Sequence, residues 1–177
     1  MKKAIVVVCL FITFLIIYFL QSNFFCWFTI AGIMPNMFVI LALFISLFAG
    51  IKLGIGYCLF FGLFLDIVQG QTLGTYTIML VFVAILGWLF EKNFSKDSRF
   101  TIMLMVMTGT ILFEFGRYIF NVTILGSSIE ILYFIKILIV EVIYNAIITI
   151  IIYPLIQIFG YKIEDIYKGQ KILTRYF

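Results

Sequence analysis

Asp66, Glu114, Arg117, Lys136 and Glu141 interrupt long apolar runs in a 177-residue chain that is 65% hydrophobic and 11% charged. Three of these residues fall in two polar stripes at helical spacing. Thr110, Glu114, Arg117 and Asn121 share one face, and Glu141, Asn145, Thr149, Tyr153 and Gln157 recur at every fourth position. The carboxylates are the groups an enzyme would use, but the chain has no histidine, which removes the commonest general base and metal ligand. No phosphate loop, nucleophile motif or metal motif is present. Cys9, Cys26 and Cys58 are odd in number, widely spaced and set in apolar surroundings, so a disulfide framework is not expected. No catalytic residue, metal or cofactor is therefore expected.

Polar side chains facing lipid would go unsatisfied, so both stripes should face the protein interior or each other. Three uses remain open. The stripes form a neutralised structural network, in which Glu114 reaches Arg117 three residues on and Lys136 enters from the outer end of the sixth helix. Alternatively they line a polar cavity for a small solute, or they present a surface to a partner's transmembrane helix.

A second pattern runs from residue 50 to residue 74. Gly50, Gly54, Cys58, Gly62, Asp66, Gly70 and Gly74 recur at every fourth position. Small residues at this spacing let a partner backbone approach closely. The face drifts by about 40° per step, so one straight helix cannot carry the whole set on one side. A packing helix ending near Asp66 and followed by a glycine-rich turn is expected. Asp66 then either caps that turn, or pairs with a cation or orders the turn for a partner protein.

The elements that position these residues follow from hydropathy. Soluble domains carry about 25% charged residues, and a spanning helix needs about 20 apolar ones. A mean hydropathy of +1.25 therefore predicts an all-α polytopic integral membrane protein, forming a single transmembrane domain over 1–177. About six transmembrane helices are predicted, over 4–20, 36–49, 53–68, 73–90, 100–120 and 130–159. Residues 24–34 are apolar and aromatic but too short to span. They either lie in the interface or open a second helix kinked at Pro35. Met1-Lys2-Lys3 before the first run resembles a signal peptide, but residues 21–25 offer no small-x-small cleavage site, so an uncleaved span is expected.

With both termini cytoplasmic, Lys2, Lys3, Lys52, Lys92, Lys96, Arg99, Lys162, Lys168, Lys171 and Arg175 all fall on the inner side. The outer loops then carry no Lys or Arg. The tail over 161–177 alternates apolar and charged residues, which suits either an amphipathic segment on the inner surface or a frayed end. The net charge of +4 reflects this loop bias and contact with membrane lipid, and no nucleic-acid partner is expected.

Pro35-Asn36 opening a short helix, Gly62-Leu63-Phe64-Leu65-Asp66-Ile67, and Gly70-Gln71-Thr72-Leu73-Gly74, in this order, resemble the rod shape-determining protein MreD family. The resembling portion covers about residues 35–90, with a looser match at Tyr144-Asn145 and Tyr153-Pro154. The resemblance implies a non-enzymatic scaffold of the bacterial cell-elongation machinery in the plasma membrane. Its implied partners are MreC, the actin-like MreB, and the glycan polymerase and transpeptidase of lateral-wall peptidoglycan synthesis. On that reading Pro35, Asn36, Gly62, Asp66, Gly70 and Gly74 shape a surface for MreC or another membrane partner. The intramembrane charges of the last two helices depart from the family pattern. A rival of the same expected architecture is the substrate-binding component of a vitamin uptake transporter. Whether the chain self-associates is left open.

Overall fold

In a computed structural model describing residues 2–69, 73–124, 126 and 130–168, the chain folds into six α-helices: α1 (Lys2–Phe19), α2 (Met37–Ala49), α3 (Ile51–Val68), α4 (Thr75–Asn93), α5 (Arg99–Ile124) and α6 (Ile131–Lys168). No strand occurs among the described residues. Five helices are long and apolar enough to cross a membrane, and α2 is the short one. The protein is an all-α polytopic membrane protein, as its hydropathy predicts.

The connections are set by residues that release the helical backbone. After α1 a π-helical turn (Leu20–Phe24) carries the chain outward. Ala31 and Gly32 then take φ of 54° and 81°, reversing it beside an isolated bridge between Ile30 and Ile33. The segment before Pro35 is thus a folded turn, not the start of a kinked second helix. Between α2 and α3 only Gly50 leaves the helical conformation, at φ 90°, where a side chain would be strained.

The 13 residues of α2 rise about 20 Å, less than the roughly 30 Å hydrocarbon core. Every one of them except Leu41 is buried. A helix that is apolar all round is stable only when surrounded, and α2 packs against α3, α4, α5 and α6. It is the core of the molecule. Phe14 of α1, 1% exposed, docks the first helix onto this core through Phe38 and Phe61, with ring centroids 5.5 and 3.9 Å away. Large apolar side chains face outward along the spans, among them Ile12, Ile16, Phe60, Ile143 and Ile151, as a lipid-facing surface requires.

At 38 residues α6 is about 57 Å long, more than a bilayer needs. Beyond Pro154 its final turns place Ile163, Ile166 and Tyr167 against Val6, Leu10, Ile45 and Ala49 of α1 and α2. Residues 161–168 are therefore neither frayed nor separate from the last span. They continue α6 and pack across the inner helix ends, while 169–177 lie outside the described residues. Ion pairs fasten this end: Lys168 Nζ meets Glu91 Oε1 at 2.6 Å, and Lys96 pairs with Glu164. Lys168 also donates to the Leu47 carbonyl near the end of α2 (2.8 Å), satisfying a carbonyl that the helix leaves free. The Tyr167 hydroxyl donates to the Lys3 carbonyl (3.2 Å), so the N-terminal residues and the end of α6 share one face of the molecule.

Candidate functional site

The small-residue pattern divides where α3 meets α4. Gly54 faces α2, where an added Cβ would lie 2.8 Å from Ser46 Cβ. Gly62 faces α4, where a Cβ would lie 2.6 Å from Thr77 Cα. Gly62 thus brings the first turn of α4 against α3. One turn further along, Asp66 meets it. The side chain of Asp66 is fully buried. Its Oδ1 accepts from Tyr76 N (2.7 Å), and its Oδ2 accepts from Gly74 N (2.9 Å), Thr77 N (3.2 Å) and Thr77 Oγ1 (2.6 Å).

A helix leaves its first amide groups without intrahelical partners and carries a partial positive charge at that end. A carboxylate from the preceding helix satisfies both. This is why Gly-x-x-x-Asp works as a unit: the glycine admits the helix start and the aspartate binds it. Asp66 thus caps the start of α4, and no Lys or Arg forms an ion pair with it among the described residues. Gly74 is left-handed (φ 103°) and stands as the N-cap of α4, so its match to a close-packing motif reflects a turn. Gly70 lies outside the described residues.

A second cluster ties four elements together at the same end of the molecule. Asn36 caps α2, its Oδ1 accepting from Val39 N (3.3 Å). Its own N–H donates to Asn145 Oδ1 of α6 (2.8 Å), and Asn145 Nδ2 donates to Thr110 Oγ1 of α5 (2.9 Å). Gln21, at the end of the first span, brackets Pro35. Its Nε2 donates to the Pro35 carbonyl (2.7 Å), and its Oε1 accepts from Met37 N (3.1 Å). Pro35 lacks an N–H to satisfy, and its carbonyl and the N–H groups of Asn36 and Met37 are taken up by the side chains of Gln21 and Asn145, which fixes the start of α2. Gln21 reads in the sequence as part of a polar turn. Nothing local connects it to a proline 14 residues on.

Beside this clamp lie the charged groups. Arg117 is 3.4 Å from Glu114 Oε1, and its guanidinium stands 5.5 Å from the Tyr76 ring centroid. Glu141 of α6 is buried against them, with Oε1 lacking a hydrogen-bond partner among the described residues. Glu114, Arg117, Glu141 and Asn145 are thus brought together. Lys136 is not: it lies exposed on α6 rather than within the cluster. The α6 stripe also divides. Tyr153 donates to the Asp97 carbonyl (3.0 Å) and receives Gln157 Nε2 (2.5 Å) at the opposite, inner end. No group of three or more His, Cys, Asp or Glu side chains converges among the described residues. Two small cavities, one against Tyr153 and one against Phe14, hold about 10 Å³ each, room for about one water.

These features define a multi-pass helical membrane protein whose buried polar groups fasten helix ends to one another. A family model described as rod shape-determining protein MreD matches residues 1–163, and the chain belongs to that family. No curated protein and no solved structure matches it. The family is one of rod shape determination, and not a known enzyme family.

Proposed function

We propose that the chain is a non-enzymatic scaffold of the bacterial elongation machinery in the plasma membrane, docking MreC and through it the actin-like filament and the lateral-wall polymerase and transpeptidase. The observation that carries this reading is the family match over residues 1–163, which favours it over the vitamin-transporter rival. The buried turn supports it. Asp66 is sealed inside and cannot itself touch a partner, but it holds Ile67, Val68 and Leu73 outward at 69%, 44% and 70% exposure. These apolar side chains at the α3–α4 connection form the docking surface, and Asp66 with Gly62 sets its shape.

The test is co-purification of MreC from native membranes. Wild type retains MreC. Ile67→Asn with Leu73→Asn loses it while the unfolding midpoint stays unchanged, whereas Asp66→Ala loses both binding and stability. Undiminished MreC retention by the Ile67/Leu73 variant would move the interface elsewhere.

A further inference from the structure

Glu141 Oε1, Tyr118 Oη and Asn121 Oδ1 are buried polar atoms without a hydrogen-bond partner among the described residues, and all lie in the outer halves of α5 and α6. Glu141 is 95% buried, being 5% exposed. Glu114, on the neighbouring helix, is 6% exposed and within hydrogen-bond reach of Glu141. Two carboxyl groups in contact require a positive charge between them, and one guanidinium serves the pair. Arg117 lies against Glu114 and is shared with the Tyr76 ring.

Among the described residues, the surrounding elements bring no second cation against the pair. On α6, Lys136 is exposed, and the Tyr144 hydroxyl is committed to the Phe28 carbonyl (2.6 Å). On α5 the remaining titratable neighbour is Tyr118, and on α4 it is Tyr76. On α2 and at the end of the first span the polar neighbours are Asn36 and Gln21, both neutral. Asp66 is engaged by the first turn of α4. An uncompensated charge at this depth is costly in a bilayer. The available ligands are oxygens, which suit a hard cation, and Glu141 Oε1 itself is closed off from the surface.

We propose that Glu114 and Glu141 bind one exchangeable monovalent positive charge, a proton or an alkali cation, between α5 and α6. Glu141 Oε1 is the unfilled ligand and Arg117 the fixed countercharge. This site lies apart from the exposed Ile67, Val68 and Leu73 of the α3–α4 turn, with Tyr76 between the two.

The experiment compares the full chain, Glu141→Gln and Glu114→Gln in lipid nanodiscs. Unfolding midpoints are read in NaCl, KCl and choline chloride at equal ionic strength and across pH, together with infrared spectra of the carboxyl groups. An alkali-ion site raises the wild-type midpoint by a few degrees, saturably, in NaCl or KCl over choline chloride, and Glu141→Gln loses that rise. A proton site gives a carboxylic-acid carbonyl band and a pH-dependent midpoint in wild type, both lost in Glu141→Gln, with no difference among the salts. Where Glu141→Gln does not fold, Glu114→Gln and the wild-type salt and infrared responses decide. Identical salt and pH responses in wild type and variants, with no carboxylic-acid band, would leave an ordered water at Glu141 and overturn the proposal.

Discussion

Asp66 works through neutral donors: backbone amides of the α4 start and the Thr77 hydroxyl converge on its two oxygens. Hydrogen bonds to a charged acceptor are worth about 1.5–3 kcal/mol each, and amides buried without an acceptor cost more than a bond merely lost. Asp66→Ala is therefore expected to destabilise the protein by about 3 kcal/mol or more. Asp66→Asn, which keeps one acceptor oxygen, costs roughly half as much. Thermal unfolding in detergent measures both. Arg117 behaves differently because its partners are charged. Removing one member of a fully buried ion pair costs about 3–5 kcal/mol, and here the Arg117 side chain keeps 29% of its surface exposed at 3.4 Å from Glu114, which lowers that cost. Arg117→Met is expected to cost about 1–3 kcal/mol, because it leaves the buried Glu114 unpaired, while Arg117→Met combined with Glu114→Gln recovers part of it. The sequence marks Asp66 as important by its place among glycines. It does not show which of two roles the carboxylate plays, because that depends on α4 returning to meet it.

Helix spacing explains which glycines matter. Gly62 and Gly56 lie on the same helix, six residues apart. A Cβ on Gly62 collides with the Thr77 backbone at 2.6 Å, whereas one on Gly56 meets nothing within 4 Å. Gly62→Ala must push α4 away and is expected to cost about 1–3 kcal/mol. Gly56→Ala removes only the helix penalty of glycine and is expected to be neutral or stabilising by up to about 1 kcal/mol. Paired unfolding curves check the contrast. The four-residue pattern was legible from spacing alone, but its division into a face toward α2 and a face toward α4 was not. The same limit applies to the stripe on α6. Glu141 and Asn145 serve the outer cluster, while Tyr153 and Gln157 serve the inner loop, because a helix about 57 Å long passes through two environments.

At the level of the whole molecule, Lys3, Lys92, Lys96 and Lys168 lie at helix ends and in the α4–α5 loop at one end, which the positive-inside rule makes cytoplasmic. Cys26, exposed in the turn after the first span, then faces outward. A membrane-impermeant thiol reagent is expected to label Cys26 in intact cells, and to label a Lys96→Cys substitution in a Cys26→Ser background only after permeabilisation. Labelling in the reverse order would invert the topology. Composition and hydropathy by themselves determined an all-α membrane protein with six helices, since burying an apolar chain of this kind in lipid leaves no other backbone solution for its spans. The motif order around Asp66 was enough to point to the family. Tertiary structure decided the rest. It made α2 a buried core helix, joined Gln21 to Pro35 and Asn36 to Asn145, left Lys136 out of the polar cluster, and continued α6 across the inner face. Each outcome depends on partners distant in the chain. Periodicity shows that a side chain needs a neighbour, and only the packed helices show which neighbour it has.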